Sequence, residues 1–308
     1  AYVDSSELSG NTGWLIKGKT GYRYTLPYNL YTDVGLQAVY STFADYLAVN
    51  PSLLINWEPS NIYSAYFSMV QSSPMIREIS MSNTLSQPLF DVLIPVDETL
   101  PTPGKTNISL GGGFMPVIGY DLKADVFIEL LDNPTLMDSS WQGDFSDQQH
   151  WNTRYESGLI KGFDLSVEKL TPGIRSLAKY RFTRANLTDT LGVENLMPGH
   201  REHEFYLTMD GKFREKMGYE MDFTLASGKR YLDSDQTWGN SKIYHRLDLS
   251  FYREVSWERV SGRVSLKLKN VMNSKNPDYD EASWVTNSLQ DRTFTLLPFM
   301  PTINFNFV

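Results

Sequence analysis

The chain has 308 residues, 41% of them hydrophobic, enough to bury a sizeable core and too many for a disordered chain. A formal charge of −8, from 28 Lys and Arg against 36 Asp and Glu, leaves no basic field to collect phosphates and excludes nucleic acid as a partner. The absence of cysteine excludes disulfide staples, thiolate metal sites and Cys nucleophiles, and suits passage through an oxidising periplasm.

No apolar run reaches the roughly 20 residues that a spanning helix needs, so only strands could cross a membrane. The start, Ala1-Tyr2-Val3, lacks a basic segment followed by an apolar one, so any signal peptide is expected to be removed or to lie upstream. In the first clear element Trp14, Ile16, Tyr22 and Tyr24 share one side with Gly18 and Thr20, the two-residue period of a strand. The same period puts Leu122, Ala124, Val126 and Ile128 opposite Asp121, Lys123, Asp125 and Glu129. It sets Phe205, Leu207 and Met209 against Glu204, Tyr206 and Thr208. Residues 217–225 oppose Met217, Tyr219, Met221, Phe223 and Leu225 to Gly218, Glu220, Asp222 and Thr224, and Leu247, Leu249 and Phe251 oppose Arg246, Asp248 and Ser250. In 260–269 the apolar set Val260, Val264, Leu266, Leu268 alternates with Ser261, Arg263, Ser265, Lys267, Lys269.

Continued along the chain, this pattern predicts about thirteen strands, at 13–25, 29–42, 61–70, 76–86, 106–115, 118–131, 157–170, 173–184, 201–210, 213–226, 242–253, 256–271 and 297–308. Tight turns are expected near Pro27, Pro74, Pro116, Pro172, Asp210-Gly211 and Glu254. Long connections are expected at 43–60, 87–105, 132–156, 185–200, 227–241 and 272–296. A soluble sandwich has no need of strictly alternating short and long connections, whereas a membrane barrel has short periplasmic turns and longer extracellular loops. Aromatic residues at strand ends, Trp14, Tyr24, Tyr40 and Tyr120, fit the belts at the two headgroup levels. The expected fold is therefore all-β, an antiparallel transmembrane β-barrel occupying 1–308 as one domain, in the bacterial outer membrane and in contact with its lipid.

Four pieces of sequence, in this order and spacing, carry a resemblance: Lys161-Gly-Phe-Asp-Leu-Ser-Val-Glu-Lys169, Tyr244-His-Arg-Leu-Asp-Leu-Ser250, Leu268-Lys-Asn-Val-Met-Asn273 and Leu297-Pro-Phe-Met-Pro-Thr-Ile-Asn-Phe305. Across roughly residues 105–308 the chain resembles the C-terminal part of the barrel of TonB-dependent outer-membrane receptors, in a style associated with Bacteroidetes. The closing Thr302-Ile-Asn-Phe-Asn-Phe-Val308 resembles the terminal strand by which outer-membrane proteins are recognised for assembly, a signal that usually ends on an aromatic residue, so one residue is expected to be missing. The resemblance implies a barrel of about 22 strands around an N-terminal plug, importing a scarce ligand with force from the TonB complex. This chain shows no plug. Its partners would then be the missing N-terminal strands and plug, the TonB complex reached through that plug, and a surface lipoprotein or other envelope proteins.

Strand parity sharpens the expectation. Counting back from a final strand that ends in the periplasm, 13–25 also runs downward and residues 1–11 fall outside the cell, so the chain is expected to begin within an extracellular loop of a larger barrel. The alternatives are a complete passive diffusion porin of about 14 strands whose first strand is Tyr2 to Ser9, and a structural barrel subunit of an outer-membrane complex.

The expected chemistry is that of a wall, with no cofactor, no metal and no enzyme activity. His200 and His203 are three apart, so a strand would point them to opposite faces. Asp278-Tyr-Asp280-Glu281 lacks the glycine and spacing of a calcium loop and reads as solvated loop acids. Gly111-Gly112-Gly113 falls in a strand and not before a helix, so it reads as relief of crowding and not as a phosphate loop. The faces assigned to the lumen carry Asp121, Lys123, Asp125, Glu129, Arg175, Lys179, Arg181, Glu220, Asp222, Arg263, Lys267 and Lys269, either to dock a plug and pass a ligand or to pair across strands. Trp141, Phe145 and Trp151, in the loop at 132–156, are candidates for stacking on a ligand.

Overall fold

The computed structural model describes residues 2–8, 11–42, 45–74, 76–82, 88–95, 102–134, 155–197, 200–232, 238–257, 260–285, 288–295 and 298–307. Every regular element among them is a strand: β1 (Tyr2–Leu8), β2 (Asn11–Leu26), β3 (Leu30–Ser41), β4 (Tyr46–Trp57), β5 (Tyr63–Ser72), β6 (Ile76–Ser82), β7 (Pro88–Pro95), β8 (Gly104–Phe114), β9 (Tyr120–Asp132), β10 (Tyr155–Thr171), β11 (Ile174–Asp189), β12 (Glu194–Leu196), β13 (His203–Arg214), β14 (Met217–Ala226), β15 (Arg230–Leu232), β16 (Trp238–Asn240), β17 (Tyr244–Trp257), β18 (Val260–Lys269), β19 (Pro277–Val285), β20 (Ser288–Thr295) and β21 (Met300–Phe307). The main sheet has the order β1-β2-β3-β4-β5-β8-β9-β10-β11-β13-β14-β17-β18-β21, with β12 added beside β11. The pairs β6–β7, β15–β16 and β19–β20 form separate hairpins. With these set aside, each strand pairs with its neighbour in the chain, the meander of an up-and-down sheet.

All but one of the expected strands lie in this sheet. The exception is 76–86, whose described residues 76–82 form β6 and pair with β7 in a hairpin of their own. Conversely, the long connection expected at 43–60 contains β4, a full member of the sheet paired with β3 over its whole length. The two errors cancel in number, so thirteen strands of the main order still run from β2 to β21. Residues 2–8, expected outside the cell as part of a loop, pair as β1 with residues 11–17 of β2. The turns expected at Pro74, Asp210-Gly211 and Glu254 are also corrected. Pro74 precedes the β6–β7 hairpin, Asp210 and Gly211 pair within β13 and β14, and Glu254 pairs with Arg263 inside the β17–β18 ladder. Turn-forming residue types are outvoted there by cross-strand pairing that runs several residues further. Pro172-Gly173 does make its turn, with Gly173 at φ 84°, the position of a type II turn that requires positive φ.

The chain falls into two compact units, residues 1–112, 125–162 and 185–197 in one, and 113–124, 163–184 and 198–308 in the other. In the first, Tyr22, Val34, Leu53 and Met69 stand in one cross-strand row and Arg23, Asp33, Leu54 and Ser68 in the next. Tyr22 is 70% exposed and Val34 55%, so this apolar face has no core to enter; among the described residues Leu15, Val39 and Ala48 form a small buried cluster. In the second unit, the row Met209, Met221, Leu249, Leu268, Pro301 alternates with the row Asp210, Glu220, Ser250, Lys267, Thr302. Such a sheet, polar on one side and uncovered apolar on the other, is stable where the apolar side meets hydrocarbon.

Candidate functional site: the polar face and its loop bases

On the polar face of the second unit, β10 and β11 meet across the Pro172-Gly173 turn. Arg181 donates from Nε and Nη2 to the two oxygens of Asp164 at 2.8 Å each, and Lys179 Nζ lies 3.2 Å from the same carboxylate. Nearer the turn, Arg175 Nε donates to Glu168 at 2.7 Å. The fork geometry of guanidinium on carboxylate fixes both side chains and neutralises them against the wall. Lys123 and Asp121, two apart on β9, pair at 2.8 Å. Further along the sheet Arg263 reaches Glu220 at 3.8 Å and Glu254 at 3.5 Å, and its guanidinium lies 4.1 Å over the Tyr252 ring. Asp222 stands between Thr208 and Asp248 in register. Lys267 lies between Ser250 and Thr302, and Lys269 opposite Met300.

In the first unit, Tyr66 on β5 donates to Asp125 on β9 at 2.6 Å, passing over Gly111 of the intervening β8. A Cβ at Gly111 would fall 1.8 Å from the Asp125 carboxylate, so glycine is the only residue that leaves room for this bond. Of the Gly111-Gly112-Gly113 run, Gly111 thus relieves crowding, as its place in a strand suggests. Glu129 takes Lys105 at 2.8 Å and the Asn107 amide at 3.0 Å. The acids and bases singled out from sequence therefore sit on polar faces, most of them within small ion-pair groups. Sequence reading missed partners in these groups: Asp164, Glu168, Tyr66, Lys105, Asn107 and Glu254. Their signal was available, since each except Tyr66, which lies two strands from Asp125, sits at an alternate position one strand away from a residue already chosen.

The last long-loop base is unusually well fastened. Asn270, at φ 50°, donates its backbone N–H to Asp248 at 2.8 Å, and its side chain exchanges bonds with the backbone of Ser274 at 3.0 and 3.1 Å. Asn273 accepts from Phe299 N–H at 3.1 Å, and Asn276 bonds both the N–H and the carbonyl of His245, at 2.9 and 2.7 Å. Arg246 holds Asp248 through both of its oxygens, at 2.8 and 2.6 Å. The Asn-Val-x-Asn of the sequence resemblance is thus the clamp joining the loop-side ends of β17, β18 and β21.

Other candidates separate. His200 bonds the Thr183 carbonyl at 2.9 Å while His203 meets the Tyr180 hydroxyl at 2.8 Å, so the two rings serve different partners. Among the described residues no group of three or more His, Asp or Glu is placed to hold a metal ion. Asp278, Asp280 and Glu281 lie in β19, a paired strand and not an irregular loop. Trp141, Phe145 and Trp151 lie outside the described residues.

Similarity to known proteins now bears on this wall. No protein-family model matches the chain. No curated protein matches it either. Solved structures do: the ferric yersiniabactin uptake receptor FyuA from Yersinia pestis, at 13% identity and a TM-score of 0.66, covers 96% of this chain with 45% of its own. The ferripyoverdine receptor of the Pseudomonas aeruginosa outer membrane, at 13% identity and a TM-score of 0.61, covers 100% of this chain with 39% of its own. The siderophore receptor PirA from Acinetobacter baumannii, at 12% identity and a TM-score of 0.63, covers 86% with 42%. The chain has the fold of a siderophore-receptor barrel wall. That is the fold implied by the resemblance to TonB-dependent receptors, and it spans less than half the length of these structures. In a wall of this kind the ion-pair groups keep one face polar and compensate most of the charge on it, and the asparagine clamp sets where the last long loop departs.

Proposed function

We propose that this chain is the C-terminal wall of a TonB-dependent outer-membrane receptor that imports a scarce ligand, of the siderophore class that the structural neighbours bind. The supporting observation is the two-faced sheet itself, shared in fold with siderophore receptors over nearly the whole chain. Its polar face, with Asp121, Lys123, Asp125, Glu129, Arg175, Lys179, Arg181, Glu220, Asp222, Arg263, Lys267 and Lys269, lines the lumen. Its apolar face meets lipid. The plug, the remaining strands and the contact with the TonB complex belong to polypeptide beyond this chain, and a surface lipoprotein or other envelope protein is a further partner. No step of covalent chemistry is assigned to the wall, and the receptor works without catalysis.

Uptake by cells carrying the whole reading frame tests the proposal. Accumulation of a radiolabelled ferric chelate should require both the protein and an energised inner membrane, and collapse of the proton gradient should abolish it. Uptake that persists without energy, or stepwise ion conductance of the reconstituted protein alone, would replace the importer with a passive channel.

A further inference from the structure

The two faces of the second unit differ in charge as well as in hydropathy. Its polar face mixes both signs. Its apolar face, read along β13, β14, β17, β18, β21 and those parts of β9, β10 and β11 that belong to this unit, carries no Asp or Glu among the described residues. The ionisable side chains on that face are Lys169, Arg214 and Arg253 toward the short-turn end, and Arg184, His203 and His245 toward the long-loop end. A membrane wall needs no charge on its lipid side, and a cation at the midplane costs about 2–4 kcal/mol, falling to about 0–1 near the interfaces. Six positive or imidazole groups and no acid, all at the margins, indicate anionic headgroups beside the wall.

The long-loop margin is the more fully built. His203 is the register partner of Phe182. Arg184, exposed and two residues beyond Phe182, is its diagonal neighbour, a spacing of about 7–8 Å that long side chains bridge. Beneath them lies a continuous aromatic patch. Phe182 packs 5.2 Å from the His203 ring and 5.6 Å from Phe163, Phe163 lies 5.9 Å from Tyr180, and Phe205 lies 6.4 Å from Phe223. The Tyr180 hydroxyl, 2.8 Å from His203 Nδ1, engages that ring nitrogen and leaves Nε2 as the one to meet a ligand. An arginine fork and an imidazole set above flat apolar rings match a ligand with a phosphate at its head and acyl chains below.

We propose that Arg184 and His203 form a binding site for the phosphorylated headgroup of a glycolipid of the outer leaflet, with its acyl chains lying on Phe163, Tyr180 and Phe182. The proposal rests on the membrane reading above. Long loops mark the extracellular end of such a wall, which places this margin in the outer leaflet.

The test uses the complete receptor, purified in detergent and stripped of lipid, with native mass spectrometry counting retained lipid. The probes are lipid A bearing both phosphates, its dephosphorylated form, and phosphatidylglycerol. The wild-type protein should hold the phosphorylated glycolipid about tenfold more tightly than either of the others. Arg184→Gln with His203→Gln should erase that preference, Arg184→Lys should keep most of it, and Arg253→Gln, at the opposite margin, should leave it unchanged. Equal retention of the phosphorylated and dephosphorylated forms by the wild-type protein would overturn the proposal, as would full retention by the double variant. Preference for phosphatidylglycerol would overturn the assignment to the outer leaflet. The two-lipid comparison on wild-type protein decides the matter even if a variant does not assemble. Failure of the wild-type protein to show the heat-modifiable mobility of a barrel would sink the membrane reading separately.

Discussion

At the scale of single residues, alternation assigns each side chain to a face, and one misplaced charge tests the assignment. Leu266 stands in the row Phe251, Leu266, Ile303, and Lys267 in the row Ser250, Lys267, Thr302. Reversing the register would carry Lys267 and Lys269 into hydrocarbon. Leu266→Arg should therefore cost about 2–4 kcal/mol of barrel stability while Lys267→Leu costs far less. Heat-modifiability on gels measures both, and equal behaviour of the two variants would refute the register. Gly111 offers a second test. Gly111→Ala puts a methyl group where the Asp125 carboxylate now sits, so it should break the Tyr66–Asp125 bond and destabilise by about 1–3 kcal/mol. Tyr66→Phe removes only the hydroxyl and leaves Asp125 open to water, so it should cost about 1 kcal/mol. Denaturant unfolding in detergent compares them, and a Gly111→Ala variant as stable as the wild type would show that the close approach is not needed.

At the scale of elements, the period of two made most of the sheet legible before any coordinates. It failed where a local breaker stood inside a strand. β4 contains Pro51, and a proline inside a strand argues against a central position. The sheet tolerates it because the β4–β5 ladder begins only at Ser52 opposite Val70, so the missing N–H falls just past the ladder's end. β6 failed in the opposite sense: its alternation was real, but its partner is the adjacent β7 and not the main sheet, a choice that periodicity does not encode. The ion-pair groups were half legible for the same reason, since alternation names the face of Arg181 but register alone names Asp164 as its partner. The clamp at Asn270 was visible as a motif and opaque as chemistry. Asn276→Ala should release the base of the last loop by removing both bonds to the His245 backbone, leaving β17 and β18 paired. The expected outcome is faster amide exchange confined to residues near 245 and 270–276, with a stability loss of about 1–2 kcal/mol. Exchange that quickens evenly along β17 and β18 would mean that the asparagine supports the ladder and not the loop.

At the scale of the whole molecule, the sheet is a meander ending at β1 and β21, and a membrane wall tolerates no open edge. Each unpaired backbone N–H or C=O in hydrocarbon costs several kcal/mol, so both edge strands need partners. The alternative of a small channel has the even strand number that closure requires, since fourteen strands lie in the main order. The structural neighbours weigh against it, because this chain matches 39–45% of the receptors FyuA and ferripyoverdine receptor over 96–100% of its own length. We therefore expect β1 to pair with a strand that precedes it in the complete polypeptide, and β21 to pair with the first strand of that polypeptide. Cysteine pairs, one in β1 and one in β21, introduced into the complete receptor in a background that has none in this chain, should fail to crosslink β1 to β21. A cysteine in β21 should instead link to one in the first strand of the larger barrel. Efficient β1–β21 crosslinking within a single chain would establish the small closed channel and remove the larger barrel from the account.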